Sequence, residues 1–180
     1  MGTTGKLNDE KNIRSVYKKL LESWNNNLSS DFANLFLEDG NAIGFDGSQM
    51  MGRQQINNEL NQIFADHKVA SYVGIIREIR SLAPNIFILR AVAGMVPPGK
   101  KEIIPERNAI QTLIVTKELE EYCIALYQNT PATFDGRPEL RKQLTEELQE
   151  LFNSGNTIKQ NFVKAVNGKQ RTRFYSNFYG

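Results

Sequence analysis

Ile13, Val16, Tyr17, Leu20, Leu21 and Trp24 recur three and four positions apart, the stripe of a helix with one buried face. Asn8 can cap this helix, Asp9 and Glu10 suit the positive end of its dipole, and Asn25-Asn26-Asn27 ends it. A short second helix is expected from Ser30 or Asp31, burying Phe32, Leu35 and Phe36 and stopped by Gly40. Asn41 to Phe45 and Gln49 to Met51 read as a short hairpin around Asp46-Gly47. Gly52 leads into a third helix with Ile56, Leu60, Ile63 and Phe64 on one face, failing near His67.

Strand patterning then takes over. Tyr72 to Ile79 alternates imperfectly, and Ile86 to Met95 is apolar at nearly every position, so both of its faces need cover. Asn108 to Thr116 and Tyr122 to Gln128 form a last pair around a tight turn, and Thr130-Pro131 closes the sheet. Arg137 to Phe152 returns to helical spacing with Leu140, Leu144, Leu148, Leu151 and Phe152 on one stripe. A run of helices followed by a run of strands predicts an α+β domain: a curved, mostly antiparallel sheet whose N-terminal helices close an apolar pocket, plus a C-terminal helix.

Composition changes this picture at the C-terminus. Lys159, Lys164, Lys169, Arg171 and Arg173 follow Asn153 with no acidic residue among them. Removing these five from the 22 basic side chains leaves 17 against 20 acidic ones, a mildly acidic body with a basic tail. The expected division is a domain over 9–152 and a flexible tail over 153–180. The tail's basic and aromatic residues are a weak signal for single-stranded nucleic acid, and no nucleic-acid partner is expected. Residues 1–11 are polar and no stretch has the apolar length to cross a bilayer, so a cytoplasmic protein without membrane attachment is expected. One cysteine, Cys123, and one histidine, His67, permit no intrachain disulfide and no zinc site of the usual ligand count. Phosphate loops, dinucleotide fingerprints and nucleophile elbows are absent, and no metal or cofactor is expected.

Several local pieces occur in a telling order: the helix ending at Trp24, Phe32-x-x-x-Phe36-x-x-Asp39-Gly40, Gly44-Phe45-Asp46-Gly47, and Gly52-Arg53-x-x-Ile56. Glu106-Arg107-Asn108-Ala109-Ile110-Gln111, Tyr122-Cys123-Ile124-Ala125 and Gln128-Asn129-Thr130-Pro131-Ala132 follow. In this order and spacing, over roughly 9–152, the chain resembles the nuclear transport factor 2-like (SnoaL-like) superfamily of cone-shaped α+β barrels. The last pieces look most like its SgcJ/EcaC-type branch. The resemblance implies a pocket inside the cone and a homodimer built sheet to sheet. The pattern of β-residues supports the second point: Phe87, Leu89, Ala91, Ala93 and Met95 share one face, Ile86, Ile88 and Val92 the other. A second subunit is the expected cover for the outer face, with the C-terminal helix as the alternative.

The resemblance also implies that the last strand points Tyr122, Ile124, Leu126, Gln128 and Thr130 into the cone. Gln128 would then be a polar group in an apolar setting, needing a partner or a ligand. Asn108 and Gln111 have opposite parity, so only one of them can face the pocket. Trp24, Phe36 and Tyr72, with Phe32, are candidate pocket aromatics, although aromatics at such spacing are often plain core. Arg90, alone in an apolar strand, either holds an anionic ligand or, as we favour, pairs with Glu78, Glu106 or a partner carboxylate. His67 is a candidate base near the rim, though a helix-end role explains it better. No carboxylate falls firmly on a pocket-facing position, so no catalytic residue is assigned.

These features predict a protein that binds, and could transform, a small apolar or carbonyl-containing compound. The alternative is a non-catalytic homodimeric module that recruits a protein partner.

Overall fold

The Ile13–Trp24 stripe forms the central helix of the fold. A computed structural model describes residues 3–160. Helix α1, Thr3–Asn25, begins five residues before the expected Asn8 cap and buries Ile13, Tyr17 and Leu20 completely against the sheet. Each such side chain contributes about 1.5–3 kcal/mol relative to exposure. Helices α2 (Ser29–Ala33) and α3 (Arg53–Asp66) stand beside it, and α4 (Pro138–Asn153) follows the strands.

The strands are β1 (Phe36–Ile43), β2 (Gln49–Met51), β3 (Ser71–Ala83), β4 (Ile86–Val96), β5 (Ala109–Glu118), β6 (Glu121–Pro131) and β7 (Ile158–Gln160). A 3-10 turn, Pro105–Arg107, precedes β5. They form one sheet in the order β2-β1-β6-β5-β4-β3-β7. The β1–β6 and β3–β7 pairs are parallel and the rest antiparallel. The class is therefore α+β, as the run of helices and then strands predicts.

Two expectations are corrected. Phe36 and Leu37–Gly40 are not helical: α2 stops at Ala33 and the chain extends as β1 beside β6. A five-residue helix has few internal hydrogen bonds to lose. Strand pairing replaces them, with the Ile124 amide bonding the Leu35 carbonyl at 2.8 Å and the Arg53 Nε the Phe36 carbonyl at 2.9 Å. The chain beyond Phe152 is also not all tail, because Ile158–Gln160 adds a strand along Gly74–Ile76. The basic residues from Lys164 onward lie outside the described residues.

Phe87, Leu89, Ala91, Ala93 and Met95 point inward and are buried, as their alternation predicts. On the outer face α4 lays Leu144, Leu148 and Leu151 over Val73, Ile75, Val96 and Ile103. The Arg77 guanidinium, bonded to both Glu147 carboxylate oxygens, fastens that helix. This cover lies over β3 and the C-terminal half of β4. Further across, Ile114 pairs in register with Ile88 on one side and Leu126 on the other. Ile86 and Ile110 beside them remain 38% and 43% exposed. Among the described residues no helix is long and apolar enough to cross a membrane.

Candidate functional site

Side chains plug the narrow half of the cone, but its wide end is hollow. A cavity of about 500 Å³ lies between the end of α1, α2, α3, the β1–β2 hairpin and the start of β3. Trp24, Phe32, Leu60, Ile63, Met95 and Tyr127 give it apolar walls. Trp24 is set by its indole N–H, which donates to the Ala70 carbonyl at 2.9 Å. Its ring meets Tyr72 and Phe64 edge-on, at centroid distances of 5.7 and 5.4 Å. Such aromatic contacts add rigidity beyond their buried area.

Tyr72 is positioned by the residue next to Trp24. The Asn25 amide donates to the Tyr72 carbonyl at 2.9 Å and accepts the Tyr72 backbone N–H at 2.7 Å. This two-bond clasp holds the start of β3 against the end of α1 and fixes the Tyr72 backbone there.

A buried polar chain ends at that ring. The Tyr17 hydroxyl donates to Gln111 Oε1 at 2.7 Å, and Gln111 Nε2 donates to Asn129 Oδ1 at 3.3 Å. Asn129 Nδ2 then donates to the Tyr72 hydroxyl oxygen at 2.8 Å. All three bonds point the same way, so each polarises the next. The Tyr72 proton is left over at the cavity wall, with no acceptor among the described residues. Burial pushes the Tyr72 phenol up to about 12, against the Asn129 hydrogen bond and the nearby Arg107 charge, which pull it down. Tyr72 is therefore a neutral donor at physiological pH, not a base. Burial also pushes up Tyr17 and Tyr127. No hydrogen bond reaches the Tyr127 hydroxyl among the described residues.

The rim is polar. His67, Lys68 and Arg107 stand there with Asp46. The Asp46 carboxylate accepts the Ser48 hydroxyl at 2.7 Å and its backbone N–H at 3.1 Å, which holds its pKa below the usual value. No group of three or more His, Cys, Asp or Glu side chains that could hold a metal converges among the described residues. A larger hollow, about 720 Å³ between Lys19, Asn26 and Thr157, is an open surface depression and holds none of the nominated side chains.

The nominated residues divide accordingly. Trp24, Tyr72 and His67 line the cavity. Phe36 lies behind it, fully buried and stacked on Phe32. Of the pair left open by parity, Gln111 faces the cone, one step behind the cavity. Asn108 faces α4, donates to the Thr145 hydroxyl at 2.7 Å, and leaves its Oδ1 without a partner among the described residues.

Gln128 and Arg90 are corrected. Arg90 is not buried: it lies on the outer face and pairs with Glu78 at 2.7 Å, the structural reading. Gln128 is exposed on that face as well. The reason is a β-bulge. Val115 pairs with Ile124 but Ile114 pairs with Leu126, so Ala125 is an extra residue on β6. Alternation inverts beyond it, and Tyr127 and Asn129 face inward instead. Asn129, Tyr127, Lys68 and Arg107 were missed. Only a bulge signal at Ala125 would have revealed the first two, and the sequence carries none.

At the sequence level no family model and no curated protein matches the chain. Solved structures do resemble it. A domain of unknown function with a cystatin-like fold from Nostoc punctiforme PCC 73102 is 24% identical, over 84% of this chain and 99% of that one, with a TM-score of 0.67. A nuclear transport factor 2-like protein of unknown function from Shewanella oneidensis MR-1 is 15% identical, over 68% and 98%, at 0.57. A ketosteroid isomerase-like protein from Erwinia carotovora atroseptica SCRI1043 is 12% identical, over 68% and 95%, at 0.54. The chain thus has the cystatin-like, nuclear transport factor 2-like α+β fold, with a hollow wide end and an aligned polar chain running to its wall.

Proposed function

We propose that this protein binds a small, largely apolar molecule carrying a hydrogen-bond acceptor, in the hollow beside Trp24 and Tyr72. One observation carries the reading: three aligned buried hydrogen bonds deliver a phenol proton, without an acceptor among the described residues, to an apolar wall. A buried donor without an acceptor costs about 1–3 kcal/mol, which a ligand oxygen would relieve. An apolar pocket with a few converging polar groups is the usual form of a small-molecule site. A reaction would need an acid–base pair in contact with the ligand. His67 and Asp46 stand at the rim, Asp46 already held by Ser48, and the groups at the inner wall are neutral phenols and amides, so the reading stops at binding. Native mass spectrometry of protein purified from its cells tests it. A retained small molecule, released by Trp24→Ala, is expected; protein that carries none and leaves Trp24 fluorescence unmoved by apolar carbonyl compounds would refute the reading.

A second reading, a homodimer through the sheet, is supported by the Ile88–Ile114–Leu126 row and by exposed Ile86 and Ile110 beyond the reach of α4. An apolar row of this kind suits a self-complementary interface. Sedimentation should give a dimer for the parent and a monomer for Ile114→Glu. A monomeric parent would end this reading and leave the first untouched.

A further inference from the structure

Arg107 stands on the rim of the hollow. It closes the Pro105–Arg107 turn, is exposed, and among the described residues its guanidinium has no carboxylate or carbonyl partner. The same charge already acts on the Tyr72 hydroxyl across the rim. Lys68 lines the rim too, likewise without an ion pair among the described residues. The acid among the cavity-lining residues, Asp46, is occupied by Ser48. His67 completes the titratable groups there.

The interior offers the complementary chemistry. The carbonyl oxygens of Gln111 and Asn129 are already taken by donors from behind. What the inner wall presents to the hollow is a phenol proton and, beside it, a Tyr127 hydroxyl that no hydrogen bond reaches among the described residues. A head group that only accepts hydrogen bonds fits this wall, whereas one bringing N–H donors meets few free acceptors. A buried anion must also be paired with a cation, and a guanidinium presents a fork that matches a carboxylate.

Building on the ligand-binding reading above, we infer that the occupant is an amphipathic organic anion, an aryl or alkyl carboxylate. Its apolar body lies against Trp24, Phe32 and Ile63, and its carboxylate is held between the Tyr72 hydroxyl and Arg107. Arg107 is a specificity residue in this arrangement, because it distinguishes the acid from neutral molecules of the same shape.

The test compares 4-phenylbutyrate with its neutral isostere 4-phenylbutyramide, by calorimetry and by the fluorescence of Trp24, the one tryptophan of the chain. The acid is expected to bind about tenfold more tightly, the scale of one charge-assisted contact. Arg107→Gln, at an exposed position, should remove that preference and leave the amide's affinity within about twofold and the melting temperature unchanged. Equal binding of acid and amide to the parent would overturn the inference alone. So would an acid preference that survives in the Arg107→Gln, Lys68→Gln double variant. If neither compound binds, the inference fails, while the ligand-binding reading stands or falls by the native mass spectrum.

Discussion

The Tyr17 hydroxyl and Gln111 Oε1 lie 2.7 Å apart although 94 positions separate them in sequence. The contact joins α1 to β5 through the middle of the cone, passing β3 where that strand has no side chain. At Gly74 an ideal Cβ would fall 2.2 Å from the Tyr17 hydroxyl and 3.0 Å from Leu21 Cδ1. The glycine is a gap through which the first link of the polar chain passes.

Gly74→Ala should therefore be costly for a one-carbon change. The methyl displaces Tyr17, strains the core and leaves Gln111 Oε1 without its donor, for an expected loss of about 2–4 kcal/mol. Urea unfolding measures it, and a variant as stable as the parent would show that the chain is dispensable.

The two glutamines nominated from sequence should respond in opposite ways. Gln111→Leu leaves the Tyr17 hydroxyl and Asn129 Oδ1 buried without partners, at about 2–3 kcal/mol. Gln128→Leu alters only the exposed outer face and should stay within about 0.5 kcal/mol. Comparable losses from both would contradict the register shift at Ala125.

Alkali should unfold the protein through its buried phenols. Tyr17, Tyr72 and Tyr127 have raised folded-state values, up to about 12 for Tyr72, because burial disfavours the phenolate. In the unfolded chain a tyrosine ionises near about 10. Above that pH the unfolded state has lost protons that the folded state keeps, so unfolding becomes easier as pH rises. This stabilising contribution is complete below about pH 10 and declines through about pH 12. Urea midpoints across that window should fall, less steeply in Tyr72→Phe; a flat profile rules the mechanism out.

The β5–β6 turn carries removable strain. Leu119 and Glu120 adopt φ of 46° and 72°, in the left-handed region, and Leu119 is fully exposed. Asparagine and glycine suit such turns far better. Leu119→Asn with Glu120→Gly should raise stability by about 1 kcal/mol, even after losing the Lys117–Glu120 ion pair, whose glutamate is largely exposed. A lower thermal midpoint in the double variant would show that the ion pair outweighs the backbone relief.

Much of the site's scaffold was legible before the fold was known. Trp24 lies on the α1 stripe and Tyr72 at the head of β3, and both reach the cavity because local periodicity fixes which way they point. Gln111 was half legible: parity narrowed the choice to it or Asn108. Both proved buried, on opposite faces, and the packing of α4 over Asn108 settled which one looked inward. Arg90 shows the limit of reading polarity within a strand. An apolar neighbourhood in sequence suggested burial, yet cross-strand Glu78 holds it at the surface.

What the chain determined by itself was its periodicities, and with them the helices, the strand sequence and the α+β class, since these depend on neighbours three or four, or two, residues apart. What only the tertiary structure decided was the meaning of parity along β6 and the conversion of Phe36–Gly40 from helix to strand. A single inserted residue at Ala125 reverses every side chain beyond it, and pairing with β6 outweighs a short helix. Neither effect is visible in periodicity alone: the bulge is set by pairing across the β5–β6 hairpin and turns Tyr127 and Asn129 toward the cavity, while Phe36–Gly40 is extended by hydrogen bonds to β6, a strand distant in sequence.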